Sequence, residues 1–258
     1  MPNFRVELSY DGTLFHGWQI QPGLRTVQAE ISTALERIAG QPVSVHGSGR
    51  TDAGVHALGQ VASFHLPAAL PPANLCRALN AFLAPDLRVL AASVAPDEFH
   101  ARRSARAKLY RYRIYRGRVL PPFLRHYVYH YPFPLEEAAL PAVAAQFAGE
   151  HDFTSFATGR LPAAGAVRTV FSSRVWRQDQ ELIFEIEGSG FLHHMVRNLA
   201  GFLLETGLGL RTAADWPRVL AQRERRHAGR TLPARGLYLV AVRYPEEAWN
   251  RPESSREN

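Results

Sequence analysis

Cysteine is nearly absent from the 258-residue chain, which contains only Cys76. A single thiol cannot form an intramolecular disulfide, and a zinc site built from several thiolates is excluded. The first residues, MPNFRVEL, carry Arg5 and Glu7 where a signal peptide needs an apolar core. No segment approaches the ~18 consecutive apolar residues of a transmembrane helix. These absences predict a cytoplasmic protein with no membrane partner.

Lysine is equally scarce, because Lys108 is the only lysine and 29 of the 30 basic residues are arginine. The formal net charge is +7. Two interpretations of the arginine excess stay open: a compositional bias of the genome, or a surface that binds a polyanion. Arginine suits the second, since its guanidinium group makes forked contacts with phosphate and stacks on bases.

Acidic residues are missing between residues 99 and 135, which we call the basic segment. It holds nine basic residues, more than the net charge of the whole chain: Arg102, Arg103, Arg106, Lys108, Arg111, Arg113, Arg116, Arg118 and Arg125. Six tyrosines are interleaved with them: Tyr110, Tyr112, Tyr115, Tyr127, Tyr129 and Tyr131. Cations mixed with aromatic rings indicate a nucleic-acid surface more often than a plain solvated face.

Hydrophobic periodicity predicts a similar order of elements in both halves of the chain. In the first half it predicts strands at 4–10, 42–46, 60–65 and 87–94, and helices at 27–38 and 74–83. In the second half it predicts strands at 109–115, 167–177, 182–187 and 237–244, and helices at 135–147, 191–206 and 213–222. Pro141 predicts a kink or a late start in the helix over 135–147.

Apart from the short helix at 213–222, each half reads strand, helix, strand, strand, helix, strand. This is the order of a split βαβ, ferredoxin-like unit. We therefore predict an α+β fold of two ferredoxin-like halves, with mainly antiparallel mixed sheets and a cleft between the halves. Residues 1–105 form the N-terminal half and residues 106–245 the C-terminal half. The cleft is the natural ligand site, and the polar tail 246–258 is predicted to be disordered.

A glycine-rich loop, HGSGRTDAGVHALGQ at residues 46–60, carries the strongest candidate for chemistry, Asp52. Its glycines let the backbone turn sharply and approach a ligand closely. One interpretation is structural, with Asp52 capping a short helical segment. The other is catalytic, because an ionised carboxylate can be a nucleophile or a base without a metal or cofactor. Arg50 and Arg197 are its candidate partners.

A pair of adjacent histidines, His193 and His194, falls within the helix predicted over 191–206. Neighbouring residues of a helix point about 100° apart. The pair is therefore not expected to share a metal ion, as histidines four residues apart would. We expect packing or hydrogen-bonding roles for both histidines, and no metal site.

Several blocks of the sequence resemble the TruA-type tRNA pseudouridine synthases. GRTDAGVHA at residues 49–57 resembles the catalytic loop of that family. Further blocks follow the family's order along residues 10–245: YDGT (10–13) with GWQIQ (17–21), FHAR (99–102), YRY (110–112), GEHDFTSF (149–156), FLHHMVRN (191–198) and GLYLVA (236–241). The resemblance implies a homodimer that isomerises uridine to pseudouridine at positions 38, 39 and 40 of the tRNA anticodon stem-loop. It implies no metal or organic cofactor.

The resemblance also implies roles for individual residues. Asp52 would be the catalytic aspartate, Tyr110 would stack on the target base, and Arg50 and Arg197 would bind substrate close to the carboxylate. After the base has flipped out of its stack, Asp52 either attacks C1′ or assists loss of the base through a glycal-like route. Five arginines of the basic segment are candidates for binding the RNA backbone: Arg102, Arg103, Arg106, Arg111 and Arg113.

Two functions of other classes stay open. A non-catalytic RNA-binding module or RNA chaperone would explain the charge and the tyrosines, but not the Arg-Thr-Asp loop. A hydrolase acting on nucleic acid usually needs clustered carboxylates to hold metal ions. Between Glu36 and Asp86, however, Asp52 is the only acidic residue.

Overall fold

The computed structural model describes residues 1–67 and 70–245. Ten strands lie within these residues: β1 Asn3–Tyr10, β2 His46–Gly47, β3 His56–His65, β4 Leu87–Ala95, β5 Ala107–Tyr115, β6 Tyr129–His130, β7 Gly149–Asp152, β8 Val167–Gln178, β9 Glu181–Gly188 and β10 Leu237–Arg243. The same residues form five α-helices: α1 Val27–Ala39, α2 Pro72–Phe82, α3 Leu140–Ala145, α4 Met195–Gly207 and α5 Asp215–Gln222. The tail predicted to be disordered, 246–258, lies outside the described residues.

The described strands form one sheet in the order β4-β1-β3-β10-β5-β9-β8-β7, with β2 paired to β3 and β6 paired to β5. Among the pairs of described strands, only β3–β10 and β5–β6 are parallel. This mostly antiparallel sheet is consistent with the predicted α+β class. At its centre Tyr238 of β10 pairs with His56 of β3, so that strands from the two halves of the chain are direct neighbours.

Local sequence signals explain why α1 and β5 form where they do. Thr26 caps the start of α1 by accepting a hydrogen bond from the Ala29 N–H, and Gly40 ends the helix in the left-handed conformation at φ 69°. In β5, alternate residues are buried. Tyr110 and Tyr112 therefore share one face of the strand, whereas the arginines between them lie on the other.

Helices pack on the sheet and bury its apolar face. α2 packs against β4, α3 against β8 and α4 against β5, while α1 packs against α2. Phenylalanines fill much of the resulting core, among them Phe147, Phe184 and Phe202. No helix among the described residues is long and apolar enough to cross a membrane.

Two predicted elements have different bounds in the structure. Residues 42–46 were predicted as a strand, but only His46–Gly47 pairs, with β3. Val43 and Val45 are buried and their neighbours are exposed, so the alternation reports burial without backbone pairing. In the helix predicted over 135–147, the late start is confirmed, because α3 begins at Leu140 with Pro141 in its first turn.

Candidate active site

The loop that carries Asp52 lies between β2 and β3 and is held in place through Thr51. The N–H of Trp18 donates to the Thr51 carbonyl at 3.0 Å. The hydroxyl groups of Tyr10 and Thr51 are 2.8 Å apart. Gly17, at φ +86°, passes so close that a Cβ there would lie 2.6 Å from the Thr51 carbonyl oxygen. These contacts fix the backbone next to Asp52.

A buried amide, that of Gln60 on β3, braces the other end of the loop. Its Oε1 accepts hydrogen bonds from the Ser48 hydroxyl at 2.5 Å and from the Val61 N–H at 3.1 Å. Its Nε2 donates to the Gly49 carbonyl at 3.1 Å. A buried amide needs such partners to offset the loss of water. No motif in the sequence singles out Gln60, whose only signal is its place at the end of the glycine-rich loop.

The carboxylate of Asp52 lies close to three side chains that precede or begin α4. Nη1 of Arg197 donates to its Oδ2 at 3.1 Å. Nε2 of His194 is 3.4 Å from Oδ2, and Nε2 of His193 is 3.5 Å from Oδ1. The Asp52 side chain is 22% exposed. It is therefore partly desolvated, firmly positioned and still open to a ligand.

The prediction that a helix spans both histidines is wrong. α4 begins at Met195, and His194 has the left-handed conformation with φ 61°. This turn places the two imidazole rings together, with centroids 3.8 Å apart, so that both face Asp52. A positive φ at a histidine is uncommon, and the helical spacing of the sequence gave no sign of it.

The two histidines differ in the surroundings that determine their protonation. Nδ1 of His193 is 3.1 Å from the carbonyl oxygen of Thr158. A carbonyl only accepts, so Nδ1 carries a proton, and Nε2 faces Asp52. Burial lowers the pKa of His194, and the charge of Arg197 adds to this, although Asp52 acts in the opposite direction. His194 is therefore neutral at neutral pH.

Asp52, His193 and His194 together offer ligand atoms that a metal ion could use. One atom each from Asp52, His193 and His194 lies within 4.8 Å of the other two. Arg197 donates to the same carboxylate, however, and its positive charge repels a cation at that point. The cluster does not define a metal centre on its own.

Tyr110 of β5 completes the group around Asp52. Its side chain is buried, with 8% exposed, and its ring meets that of Phe191 edge-on at a centroid distance of 5.1 Å. Burial raises the pKa of the Tyr110 phenol, and the charges of Tyr10 and Asp52 raise it further. The hydroxyl group thus stays protonated at neutral pH. The structure thus brings Arg197 into contact with Asp52, and the charge of Asp52 reaches the Tyr110 phenol.

The side chain of Arg50 lies apart from the carboxylate. It is exposed, and its Nε donates to Oε1 of Gln19 at 3.1 Å. Within the described residues it forms no ion pair with Asp52. Three arginines predicted to bind the RNA backbone are likewise exposed: Arg102, Arg103 and Arg106.

The other two predicted backbone-binding arginines lie on the face of β5 opposite Tyr110. Nη2 of Arg111 is 2.8 Å from Glu185, and Nη2 of Arg113 is 2.6 Å from Glu181. Both guanidinium groups already have carboxylate partners on β9. The structure therefore does not bring them to Asp52.

Comparisons with known proteins show which family the chain resembles. A family model described as tRNA pseudouridine synthase matches residues 8–102 and 143–245. A Solibacter usitatus protein named tRNA pseudouridine synthase A is 47% identical over 247 residues, covering 95% of this chain and 100% of the relative. Proteins of the same name from Lacticaseibacillus casei and Acetivibrio thermocellus are 45% and 41% identical, each over 95% of this chain and 100% of the relative.

These matches place the chain among the isomerases that act on tRNA. It belongs to the tRNA pseudouridine synthase family, whose enzymes convert uridine to pseudouridine.

Proposed function

We propose that this chain forms pseudouridine at positions 38, 39 and 40 of the tRNA anticodon stem-loop, with Asp52 as the catalytic residue. The observation that carries the proposal is the partly exposed Asp52 carboxylate, held 3.1 Å from Arg197 and beside Tyr110. The relatives named tRNA pseudouridine synthase A support the reaction. The choice of positions rests on the resemblance to the TruA-type family.

Asp52 can start the isomerisation in either of two ways. In the first, a carboxylate oxygen bonds to C1′ while the C1′–N1 bond breaks and uracil leaves as an anion. In the second, the carboxylate takes the C2′ proton as uracil leaves, which yields a glycal. In both, uracil then turns and C5 bonds to C1′. In the first route the bond from C1′ to the carboxylate oxygen breaks as this bond forms, and in the second the carboxylate returns its proton to C2′. C5 then loses its proton and N1 gains one. All atoms of the uridine are kept, so the isomerisation needs no oxidant or reductant.

Arg197 positions the carboxylate for this work. A charge-assisted hydrogen bond is shorter and stronger than a neutral one, and the Nε of Arg197 also donates to the Leu232 carbonyl at 2.7 Å. The guanidinium group is thus fixed at both ends. Because the Thr51 backbone is fixed as well, Asp52 is held in place before substrate arrives, and that reduces the entropy lost on reaching the reactive geometry.

Tyr110 would receive the uracil after it flips out of the RNA. Flipping a base costs a few kcal/mol, and stacking on an aromatic side chain returns about 1–3 kcal/mol. The edge-on contact with Phe191 holds the Tyr110 ring in one orientation. Exposed arginines supply the remaining attraction to phosphate: Arg50, Arg102, Arg103 and Arg106. A backbone contact by Arg111 or Arg113 stays a prediction, and it would require their ion pairs to break.

Two copies of a ferredoxin-like unit account for the sheet. In the first half the strands lie in the order β4-β1-β3-β2, and in the second half in the order β10-β5-β9-β8. The two orders correspond strand by strand. Their pairings within each half are antiparallel. This correspondence supports the boundaries 1–105 and 106–245. A homodimer and a cytoplasmic location remain predictions.

The proposal is tested by mapping pseudouridine in tRNA treated with the wild-type chain and with Asp52→Asn. This substitution removes the charge with little change in size. We expect pseudouridine at positions 38–40 with the wild type, none with the variant, and tRNA affinity within about threefold of the wild type because the phosphate contacts remain. Substantial turnover by Asp52→Asn would show that another group carries the reaction.

The same experiment decides between the proposal and the two other functions. A non-catalytic RNA-binding module or chaperone would bind tRNA equally well in both forms and leave uridine unchanged. A metal-dependent hydrolase acting on nucleic acid would cleave the RNA and would lose that activity in EDTA. We expect pseudouridine formation to persist in EDTA, which also tests whether the histidine pair needs a metal.

A further inference from the structure

Lys108, the only lysine of the chain, has no partner for its ammonium group among the described residues. It lies near the start of β5 and is half-buried. No described side chain or carbonyl accepts a hydrogen bond from Nζ, and no described carboxylate pairs with it. An ammonium group taken out of water without a partner costs free energy. The fold therefore keeps an unfavourable arrangement at this position.

Two further cations lie near Lys108. Burial, together with the positive charges of Arg102 and Arg168, lowers the pKa of Lys108 to about 8. Neither arginine forms an ion pair within the described part of the chain. Nη1 of Arg168 donates to the carbonyls of Gly165 and Val167 at 3.2 and 2.6 Å, which orients its guanidinium group. We call Lys108, Arg102 and Arg168 the cation cluster.

Lys108 connects the cation cluster to the loop of Asp52. It shares one face of β5 with Tyr110. A Cβ added to Gly49 would lie 2.9 Å from its Nζ, so the ammonium group lies against the loop, three residues before Asp52. The positive charge is thus next to the catalytic loop, on the same side of the sheet as the stacking tyrosine.

Arg168 connects the cation cluster to the other wall of the site. A Cβ added to Gly190 would lie 3.8 Å from both Cδ and Nε of Arg168. Gly190 directly precedes Phe191, whose ring packs against Tyr110. The cluster therefore borders the place where the target base is proposed to stack.

We propose that Lys108, Arg102 and Arg168 form a subsite for one backbone phosphate of the RNA, adjacent to the target uridine. The inference rests on the proposed function, and it identifies the group of the substrate that the cation cluster binds. A phosphodiester offers one negative charge and several oxygen acceptors to N–H donors that otherwise lack them. Holding this phosphate fixes the backbone while the base turns in beside Tyr110.

The test measures binding of an anticodon stem-loop RNA at several salt concentrations, using Asp52→Asn so that no turnover occurs. Adding Lys108→Met keeps the length of the side chain and removes its charge. We expect affinity to fall about tenfold, and the slope of log affinity against log salt to shrink by about one. Arg77→Met is the matched control, since Arg77 is an exposed cation on α2, and we expect no change in affinity or slope.

The RNA is then altered one phosphate at a time. A methylphosphonate replaces each phosphate within two nucleotides of the target uridine and removes one charge. We expect one position to weaken binding of Asp52→Asn about tenfold, and to have almost no effect once Lys108→Met is added, because the two changes remove the same contact. Adding Arg168→Met in place of Lys108→Met must remove the effect at the same phosphate position. This second variant keeps the test valid if Lys108→Met unfolds.

Two results would overturn the subsite. One is that every methylphosphonate weakens binding by the same factor in Asp52→Asn and in the variant that also carries Lys108→Met. The other is a Lys108→Met affinity indistinguishable from that of Arg77→Met in folded protein. Failure of the proposed function looks different, because the wild-type chain would then make no pseudouridine at positions 38–40 whatever the phosphate scan gives.

Discussion

On one face of β5, Arg111 and Arg113 each meet a glutamate of β9 at 2.8 and 2.6 Å. On the other face, Lys108 meets no carboxylate in the described chain, and the charge of Asp52 reaches the buried Tyr110 phenol and helps to raise its pKa. On one face of β5 the positive charges of Arg111 and Arg113 are thus neutralised by glutamates. On the other face the positive charge of Lys108 is not neutralised. We call these the rear face and the site face.

The difference shows how one basic segment can serve two purposes. On the rear face, cross-strand ion pairs stabilise the sheet, and Glu185 accepts hydrogen bonds from both Arg111 and Arg174. On the site face, a missing counterion leaves the cation cluster available to a polyanion. Changes on the site face should therefore alter RNA binding or turnover, whereas loss of the ion pairs on the rear face should lower stability without changing turnover.

Among changes on the two faces of β5, the largest effect is expected at Tyr110. Tyr110→Leu keeps apolar bulk but removes the aromatic face, so that a flipped base loses about 1–3 kcal/mol of stacking. We expect kcat/KM for pseudouridine formation to fall about 10- to 100-fold. Tyr110→Phe keeps the ring, and we expect it to stay within about threefold of the wild type.

A comparison of these two variants identifies the group that matters. Equal losses from Tyr110→Phe and Tyr110→Leu would assign the role to the hydroxyl group and contradict the stacking function. Thermal unfolding of both variants is the control, because Tyr110 is buried and a change in packing lowers stability as well.

On the rear face, Glu185→Gln should change stability without changing turnover. The Glu185 side chain is 6% exposed and joins two arginines. Removing the charge of Glu185 leaves Arg111 and Arg174 without their carboxylate partner. Because both arginines are partly solvated, we expect a loss of about 1–2 kcal/mol in the free energy of unfolding. A loss of activity beyond what unfolding explains would contradict the separation of the two faces.

The pH dependence gives an independent check on Glu185. Burial acts to raise its pKa, but the hydrogen bonds and charges of Arg174 and Arg111 prevail and hold it below the usual 4.5. Its contribution to stability is therefore complete above pH 4.5 and is lost as the pH falls through the lowered pKa. The difference in unfolding free energy between wild type and Glu185→Gln should shrink over that acidic range.

The sequence predicted elements whose cause is local. Thr26 and Gly40 bound α1, and the alternation through Tyr110 and Tyr112 identifies β5 and its two faces. The family blocks led to Asp52, which the fold indeed brings to Arg197. Such signals depend on neighbouring residues or on whole motifs, so they can be recognised without knowing how distant segments meet.

Features that depend on distant segments were missed. The β3–β10 pair joins residues about 180 positions apart in the chain. The ion pair between Arg111 and Glu185 depends on strand register, and the turn at His194 depends on a single unusual φ. The sequence did mark Lys108 as the only lysine, but its isolation from acids became visible only when β5, β8 and the loop of Asp52 were in place.

The smallest effect is expected at Gly49, where the site face can be adjusted without removing a charge. A Cβ at this position would lie 2.9 Å from Nζ of Lys108, the mobile end of a long side chain. Gly49→Ala should therefore displace the ammonium group and leave the backbone in place. We expect RNA affinity to fall about threefold with an unchanged salt slope, since the number of neutralised phosphates stays the same. A slope reduced as far as that of Lys108→Met would mean that the contact is lost, and that the subsite tolerates no movement of Nζ.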